Sequence, residues 1–210
     1  MAKKQAVIPF NESFLDQLKR LSELCETQTS FTIREVFHYL TGKGYAALLI
    51  VFVFPFCLPI QIPGVSTPFG LILAFLGLRV AFGKALWWPK WILDKEVASE
   101  SLKKILAGSI KAVQYLQKIL HPRLLRIVKN PLLHRLNGLL IVLLALLLAL
   151  PLPIPGTNLL TAIPILCIGL GLLEDDGLFI LIGYVLSAIC FLAFISLAFF
   201  GKSLILGLLN

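Results

Sequence analysis

Three long stretches of this chain carry no Asp, Glu, Lys, Arg or His: Gly44–Leu78, Leu136–Leu173 and Gly177–Gly201. A buried helix of a soluble protein rarely exceeds about 20 uninterrupted apolar residues, so each stretch predicts helix in hydrocarbon. The first two are interrupted near the middle, by Pro59-Ile-Gln-Ile-Pro-Gly64 and by Pro151-Leu-Pro-Ile-Pro-Gly156. Proline removes a backbone donor and stops a helix, and glycine turns freely. Each stretch therefore reads as two helices with a sharp reversal between them, and Gly177–Phe200 reads as one further span. A half-hairpin of about 17 residues is about 26 Å long, the lower limit for crossing ~30 Å of hydrocarbon. Two geometries fit. Full crossing leaves the Pro-Gly turn at the outer surface; a re-entrant hairpin leaves it near the midplane, where irregular backbone must be covered by protein or face a wet cavity.

The two hairpins match without a gap at a shift of 92 positions. Leu58, Pro59, Ile62, Pro63, Gly64 and Gly77 fall on Leu150, Pro151, Ile154, Pro155, Gly156 and Gly169. Apolar matches are cheap in so apolar a chain, but the prolines and glycines are not, and an internal duplication is the expected origin. Internal repeats are a common way to build transporter folds.

Polar segments flank these stretches. Phe14, Leu15, Leu18, Leu21 and Cys25 recur at helical spacing, with Asn11 as the expected cap. Thr32-x-x-Glu35 reads as a capping box. Between the hairpins, Leu102, Ile105, Leu106, Ile110, Val113, Leu116 and Leu120 mark an amphipathic helix with Lys103, Lys104, Lys111 and Lys118 beside them. That pattern fits a helix lying on an anionic leaflet with those lysines at lipid headgroups, or equally one packed on the protein's own membrane domain. Trp87-Trp88-Pro89-Lys90-Trp91 suits a membrane interface.

The expected architecture is thus an all-α membrane protein. It consists of an N-terminal cytoplasmic amphipathic arm (1–43), hairpin repeat 1 (44–83), a basic cytoplasmic or interfacial segment (84–135), hairpin repeat 2 (136–176) and a C-terminal transmembrane helix (177–210).

Composition sharpens this picture. The chain is 58% hydrophobic with a mean hydropathy of +0.91, and only 14% of its 210 residues are charged, against roughly a quarter in a soluble domain. Segment 84–135 holds eleven Lys and Arg against Asp94, Glu96 and Glu100, so 11 − 3 = +8, the formal net charge of the whole chain. The positive-inside rule places that segment in the cytoplasm. Apart from the interfacial tryptophan cluster, no aromatic or motif context in the polar segments accompanies the charge, so nucleic acid is not an expected partner. Met1–Phe10 has no apolar core, so no cleavable leader is expected. Cys25, Cys57, Cys167 and Cys190 lack metal or redox spacing and read as small hydrophobes.

Catalytic motifs are missing: there is no G-x-S-x-G, H-E-x-x-H, Walker loop or dinucleotide fingerprint. An enzyme is not expected, nor a cofactor or metal. The candidate substrate site lies at the broken turns, where helix ends expose amides and carbonyls that transporters use for ions or anionic groups. Gln61, Pro63, Gly64 and Ser66 form one turn, and Pro155, Gly156, Thr157 and Asn158 the other. Arg79 is the one charge placed within an apolar helix, and Glu174, Asp175 and Asp176 close the second hairpin. Arg79 either snorkels to the interface or meets an anion. Because it would lie at the same end of a matched helix as Glu174, it is also a candidate partner for that acid. Gly169-x-Gly171 allows close packing within the chain or between copies, so a homo-oligomer stays open.

The order of these pieces resembles the ExoD-type exopolysaccharide-synthesis family of bacterial membrane proteins. The residues that carry the resemblance are Gly42-Lys-Gly44, Pro59–Gly64, Trp88-Pro89, His121-Pro-Arg-Leu124, Pro151–Gly156 and Gly171-Leu-Leu-Glu-Asp-Asp-Gly177. It runs from about Phe31 to the end of the chain, and family members often carry an amide where this chain has Arg79. The resemblance implies a bacterial inner-membrane protein linked to cell-surface polysaccharide. Three roles follow as expectations: handling or moving a lipid-linked or anionic substrate, serving as an accessory subunit that recruits polysaccharide-synthesis proteins, or exchanging ions.

Overall fold

The computed structural model describes residues 13–40, 43–57, 65–82, 94–150 and 156–209, and the fold is mostly helical. The chain forms two compact units, one from Met1–Gly44 with Ala85–His121, the other from Tyr45–Lys84 with Pro122–Asn210.

In the first unit, α1 (Phe14–Thr27) packs along α5 (Ser99–Leu116). The cap of α1 is Ser13, whose hydroxyl accepts from the Asp16 amide at 3.4 Å. The cap expected at Asn11 is thus displaced, because the helix starts at Phe14 and only Ser13 stands next to it. Phe14, Leu18, Leu21 and Cys25 turn inward to meet Leu102, Leu106 and Val113. The apolar stripe of the amphipathic α5 is therefore covered by α1. Ile105, expected on that stripe, points out at 61% exposure, because it sits at the edge of the arc that α1 covers. Burial pushes the Cys25 thiol above its ordinary pKa, against a weaker opposing pull from Lys103.

A two-stranded antiparallel ribbon closes this unit. Strand β1 (Ser30–Thr32) pairs with β2 (Glu96–Ala98) in the register Ser30–Ala98, Phe31–Val97, Thr32–Glu96. The ladder is extended by Ile33 N–H to the Lys95 carbonyl and Ser99 N–H to the Thr29 carbonyl, both 3.0 Å. Phe31 is buried at 1% exposure. Helix α2 (Ile33–Tyr39) follows with the expected capping box: Thr32 Oγ1 accepts from the Glu35 amide at 3.3 Å, and Glu35 returns a carboxylate to the Thr32 amide at 3.0 Å. Arg34 and Asp94 add an ion pair at 2.8 Å, more than half exposed on both sides, which contributes little to stability.

The second unit holds the apolar helices. They are α3 (Gly44–Val53), continued by a 3₁₀ turn (Phe54–Cys57), α4 (Ser66–Phe82), the short α6 (Leu125–Val128), α7 (Pro131–Ala149), α8 (Thr157–Leu173) and α9 (Gly177–Leu209). Two of them are long and apolar enough to cross a membrane: α7, and Gly177–Leu197 within α9. Asn130 caps α7 by accepting from the Leu132 amide at 2.9 Å, and Pro131 takes the first position, where no N–H is needed. Helix α9 runs 33 residues, from Gly177 to Leu209, through the glycine and lysine at 201 and 202.

The packing of this unit is exchanged. Helix α4 lies antiparallel along α7, with Gly70 against Ala145 and Ala149, and Ala81 against Gly138. The facing residues are small on both sides: Gly70, Ala74, Gly77 and Ala81 on one helix, Gly138, Ala145 and Ala149 on the other. A Cβ on Gly70 would stand 2.7 Å from the Ala145 carbonyl oxygen, so the backbones meet at a distance only glycine permits. Helix α3 in turn lies on α8, where Gly169 faces Ala46, Leu49 and Ile50. Gly77 faces Gly138, Ile141 and Val142. The matched positions are all 92 apart: 169 − 77, 138 − 46, 141 − 49 and 142 − 50. At these glycines each first helix thus meets the second helix of the other stretch, while α7 also packs on α8 within its own.

Candidate functional site

At the Pro-Gly end of the helices, Gln61, Pro63, Gly64 and Pro155 lie outside the described residues. Around them the structure brings the two hairpins together. Thr67, in the first turn of α4, donates its hydroxyl to the Ala149 carbonyl at 2.9 Å, across 82 positions of sequence. That satisfies one of the carbonyls left open at the C-terminus of α7. Ser66 is buried at 5% exposure. Gly156 adopts φ 90°, a conformation open to glycine, and precedes α8 without a side-chain cap. Thr157 and Asn158 are half-buried in the first turn, and their carbonyls both accept from the hydroxyl of the fully buried Thr161, at 3.2 and 2.9 Å. Phe52 and Phe56 meet Phe69 edge to face at 5.8 and 5.5 Å, packing the end of α3 on the start of α4.

The acidic turn lies at the opposite end. Glu174 ends α8 at 5% exposure, and Asp175 takes the left-handed conformation, φ 57°. The Asp176 amide reaches back to the Gly171 carbonyl at 2.9 Å, completing a Schellman-type stop with an aspartate where glycine is usual. Asp176 is 1% exposed, and its carboxylate accepts from the Leu178 amide at 3.0 Å, capping α9. A negative charge there is favoured by the amide dipoles at the helix start. The strand of chain at Arg123 and Leu124 is strapped across this turn. The backbones of Arg123 and Asp176 pair as an isolated parallel β-bridge, and the Gly177 amide donates to the Arg123 carbonyl at 2.8 Å. A Cβ on Gly177 would stand 2.8 Å from Leu124 Cβ, so the strap needs glycine at that point. Two motifs some fifty residues apart, His121–Leu124 and Gly171–Gly177, therefore form one junction.

Arg79 sits in the last turn of α4, with its guanidinium 5.0 Å above the Phe75 ring and close enough to Tyr45 to act on it electrostatically. Sequence reasoning missed a polar contact nearby in the same unit. Tyr184 of α9 donates its hydroxyl to Asn137 Oδ1 of α7 at 2.6 Å, and Asn137 is fully buried with no hydrogen-bond partner for its Nδ2. The signal was available: Asn137 is an amide inside a charge-free apolar run. Among the described residues, no group of three or more His, Cys, Asp or Glu is placed to hold a metal ion.

The lysines of α5 face outward or sideways. Lys103 reaches Glu26 at 4.0 Å, Lys104 pairs with Glu100 at 3.4 Å, Lys111 is exposed, and Lys118 lies 5.8 Å from the centre of the Tyr115 ring.

Comparison with known proteins follows the same outline. Protein ExoD of Rhizobium meliloti (strain 1021) is 36% identical over 156 residues, covering 74% of this chain and 65% of that protein. An uncharacterized protein of Synechocystis is 32% identical over 148 residues, covering 70% of this chain and 69% of its own length. The chain thus spans just under two thirds of the length of the Rhizobium protein. No solved structure matches it. The family model for ExoD, described as exopolysaccharide synthesis, matches residues 14–196, and the chain belongs to that family.

Proposed function

We propose that this chain is an inner-membrane protein of bacterial exopolysaccharide production, built by tandem duplication, that holds or moves a lipid-linked or anionic substrate between its two hairpins without chemical conversion. The observation that carries the reading is the exchanged packing, in which Gly77 and Gly169 meet partners 92 positions apart. Such an arrangement leaves the substrate path between two matched halves rather than within either. The Thr67–Ala149 contact supports a site near the turns, because it joins the two broken ends. In this reading the Pro-Gly turns, with Gln61, Ser66, Thr157 and Asn158, receive the substrate's polar group, and the basic segment faces the cytoplasm. Purified chain in vesicles is expected to bind or translocate a fluorescent polyprenyl-phosphate probe, and loss of that activity is expected for Thr157→Val with Asn158→Leu. Neither binding nor movement of polyprenyl-linked or acidic phospholipid probes would sink the proposal.

A second reading, an accessory subunit that recruits synthesis proteins, is favoured by the acidic turn. There Asp176 is a helix cap and Gly171 and Gly177 are packing positions, so that motif is accounted for by architecture alone. Under it, turn substitutions lower abundance and leave no defect per folded molecule.

A further inference from the structure

The amphipathic α5 presents its apolar stripe to α1, so that stripe is not available to a bilayer. The opposite face is. Lys104, Gly108, Lys111 and Tyr115 follow one another at intervals of four, three and four, which draws a ridge along α5 that Lys118, in the turn just after Leu116, continues. All five are exposed. Beside the ridge stand Ile105 at 61% and Ile119 at 56% exposure, and Tyr115 itself is 66% exposed. The one acid near the ridge, Glu100, meets Lys104 as a solvated i,i+4 pair, both side chains more than three-quarters exposed, and such a pair opens readily. We infer that this outward ridge is a docking surface for an anionic lipid leaflet, with Tyr115, Ile105 and Ile119 seated among the headgroups and Lys104, Lys111 and Lys118 on their phosphates.

Charge complementarity selects this occupant. Lysines spaced about 10 Å or less along one ridge match a surface of many separate negative charges. Aliphatic side chains alternating with them favour a headgroup layer over fully aqueous polyanions. Tyrosine is the residue suited to that boundary, with an apolar ring and a polar tip. Covalent connection adds to this. The unit that carries the ridge is joined to the apolar unit at three points along the chain, after Gly44, before Ala85 and after His121. The inference rests on the membrane placement of that apolar unit proposed above. Once the apolar unit is embedded, the ridge is confined near the leaflet. Three lysines near an anionic surface then favour the docked state by on the order of a hundredfold over a neutral one.

The test uses the full chain in vesicles of phosphatidylcholine alone and of phosphatidylcholine mixed with phosphatidylglycerol. A fluorophore is placed at Tyr115→Cys or at Ile189→Cys, with the four native cysteines replaced by alanine, and nitroxide lipids serve as quenchers. The Tyr115 label should be quenched by shallow nitroxides in the anionic vesicles, weakly in neutral ones, and no longer in either after Lys104→Gln, Lys111→Gln and Lys118→Gln together. The Ile189 label should be quenched by deep nitroxides in both. Equal quenching at Tyr115 in the two lipids, or none in the anionic one while Ile189 is quenched, overturns the inference. No quenching at Ile189 places the failure in the membrane reading, and the docking inference falls with it. Should the cysteine-free chain not fold, hydrogen exchange of the unaltered chain reads the same contact. Amides of Ser99–Leu116 should exchange more slowly in anionic than in neutral nanodiscs, and slowing by polyglutamate or RNA instead of anionic lipid overturns the assignment.

Discussion

The crossing of α4 on α7 and the crossing of α3 on α8 use matched positions but reach different closeness. At the first, a Cβ on Gly77 would stand 2.9 Å from Ile141 Cγ2 and 3.0 Å from the Gly138 carbonyl oxygen. At the second, a Cβ on Gly169 would stand 3.3 Å from Ile50 Cγ1 and 3.8 Å from Leu49 Cβ. The reason lies in the facing residues. Gly77 is met by the backbone of a facing glycine, Gly138, whereas the position matching 138 is alanine, Ala46, and Gly169 is met first by a side chain, Ile50. The first crossing is reinforced along its whole length by Gly70, Ala74 and Ala81. A small-residue seam draws backbones into direct contact. One half of the unit is therefore a fixed joint, and the other has room to yield.

The comparison can be broken at its strongest point first. Gly138→Leu would drive a side chain into the Ala81 backbone, and the chain is expected to lose its monodisperse folded form altogether in detergent, seen by size-exclusion and circular dichroism. Gly77→Ala adds only a methyl, but against backbone and a β-branched neighbour. It should destabilise by about 1–3 kcal/mol, measured by titrating the folded protein with a denaturing detergent. Tyr184→Phe leaves Asn137 without its hydrogen bond, and interhelical bonds of this kind contribute about 0.6 kcal/mol and up to ~1.7. Gly169→Ala meets Ile50 Cγ1 at 3.3 Å and no backbone atom nearer than 3.9 Å, and alanine favours helix over glycine by ~1 kcal/mol. Its stability should stay within about 0.5 kcal/mol of the unaltered chain. A cost at Gly169 equal to that at Gly77 would erase the distinction between joint and yielding half.

Much of the helical layout was legible because proline, glycine and charge mark its ends. The charge-free stretch beginning at Gly44 opens α3 and Thr32 with Glu35 opens α2, whereas α7 starts at Pro131, five residues before the charge-free stretch that begins at Leu136. The ribbon was not legible, since three-residue strands are too short to show alternation and their partners are more than sixty residues apart. The direction of α5 was half legible: periodicity revealed its apolar stripe, but only the neighbouring α1, with an equally apolar stripe, determines what covers it. The acidic turn was read as a boundary and as a candidate site. The cap from Asp176 to Leu178 is local, but the strap of Arg123 and Leu124 that lies across it is announced by no local pattern. Asn137 shows the remaining gap. One buried amide is visible in sequence, but the tyrosine that meets it, 47 positions on, is fixed by how α7 and α9 cross.

The exchanged pairing also sets an order of events during synthesis. Helix α4 is complete at Phe82, but its partner α7 is complete only at Ala149, 149 − 82 = 67 residues later. At about 5–20 residues per second, the Gly70–Ala81 seam waits roughly 3 to 13 seconds with no helix to receive it. Earlier in synthesis β1 waits a similar 98 − 32 = 66 residues for β2. The first hairpin is thus an obligate intermediate with an open adhesive face, and a second nascent copy arriving in that interval would offer it the same α7. Crowded synthesis should then yield chains whose α4 is closed by another molecule's helix.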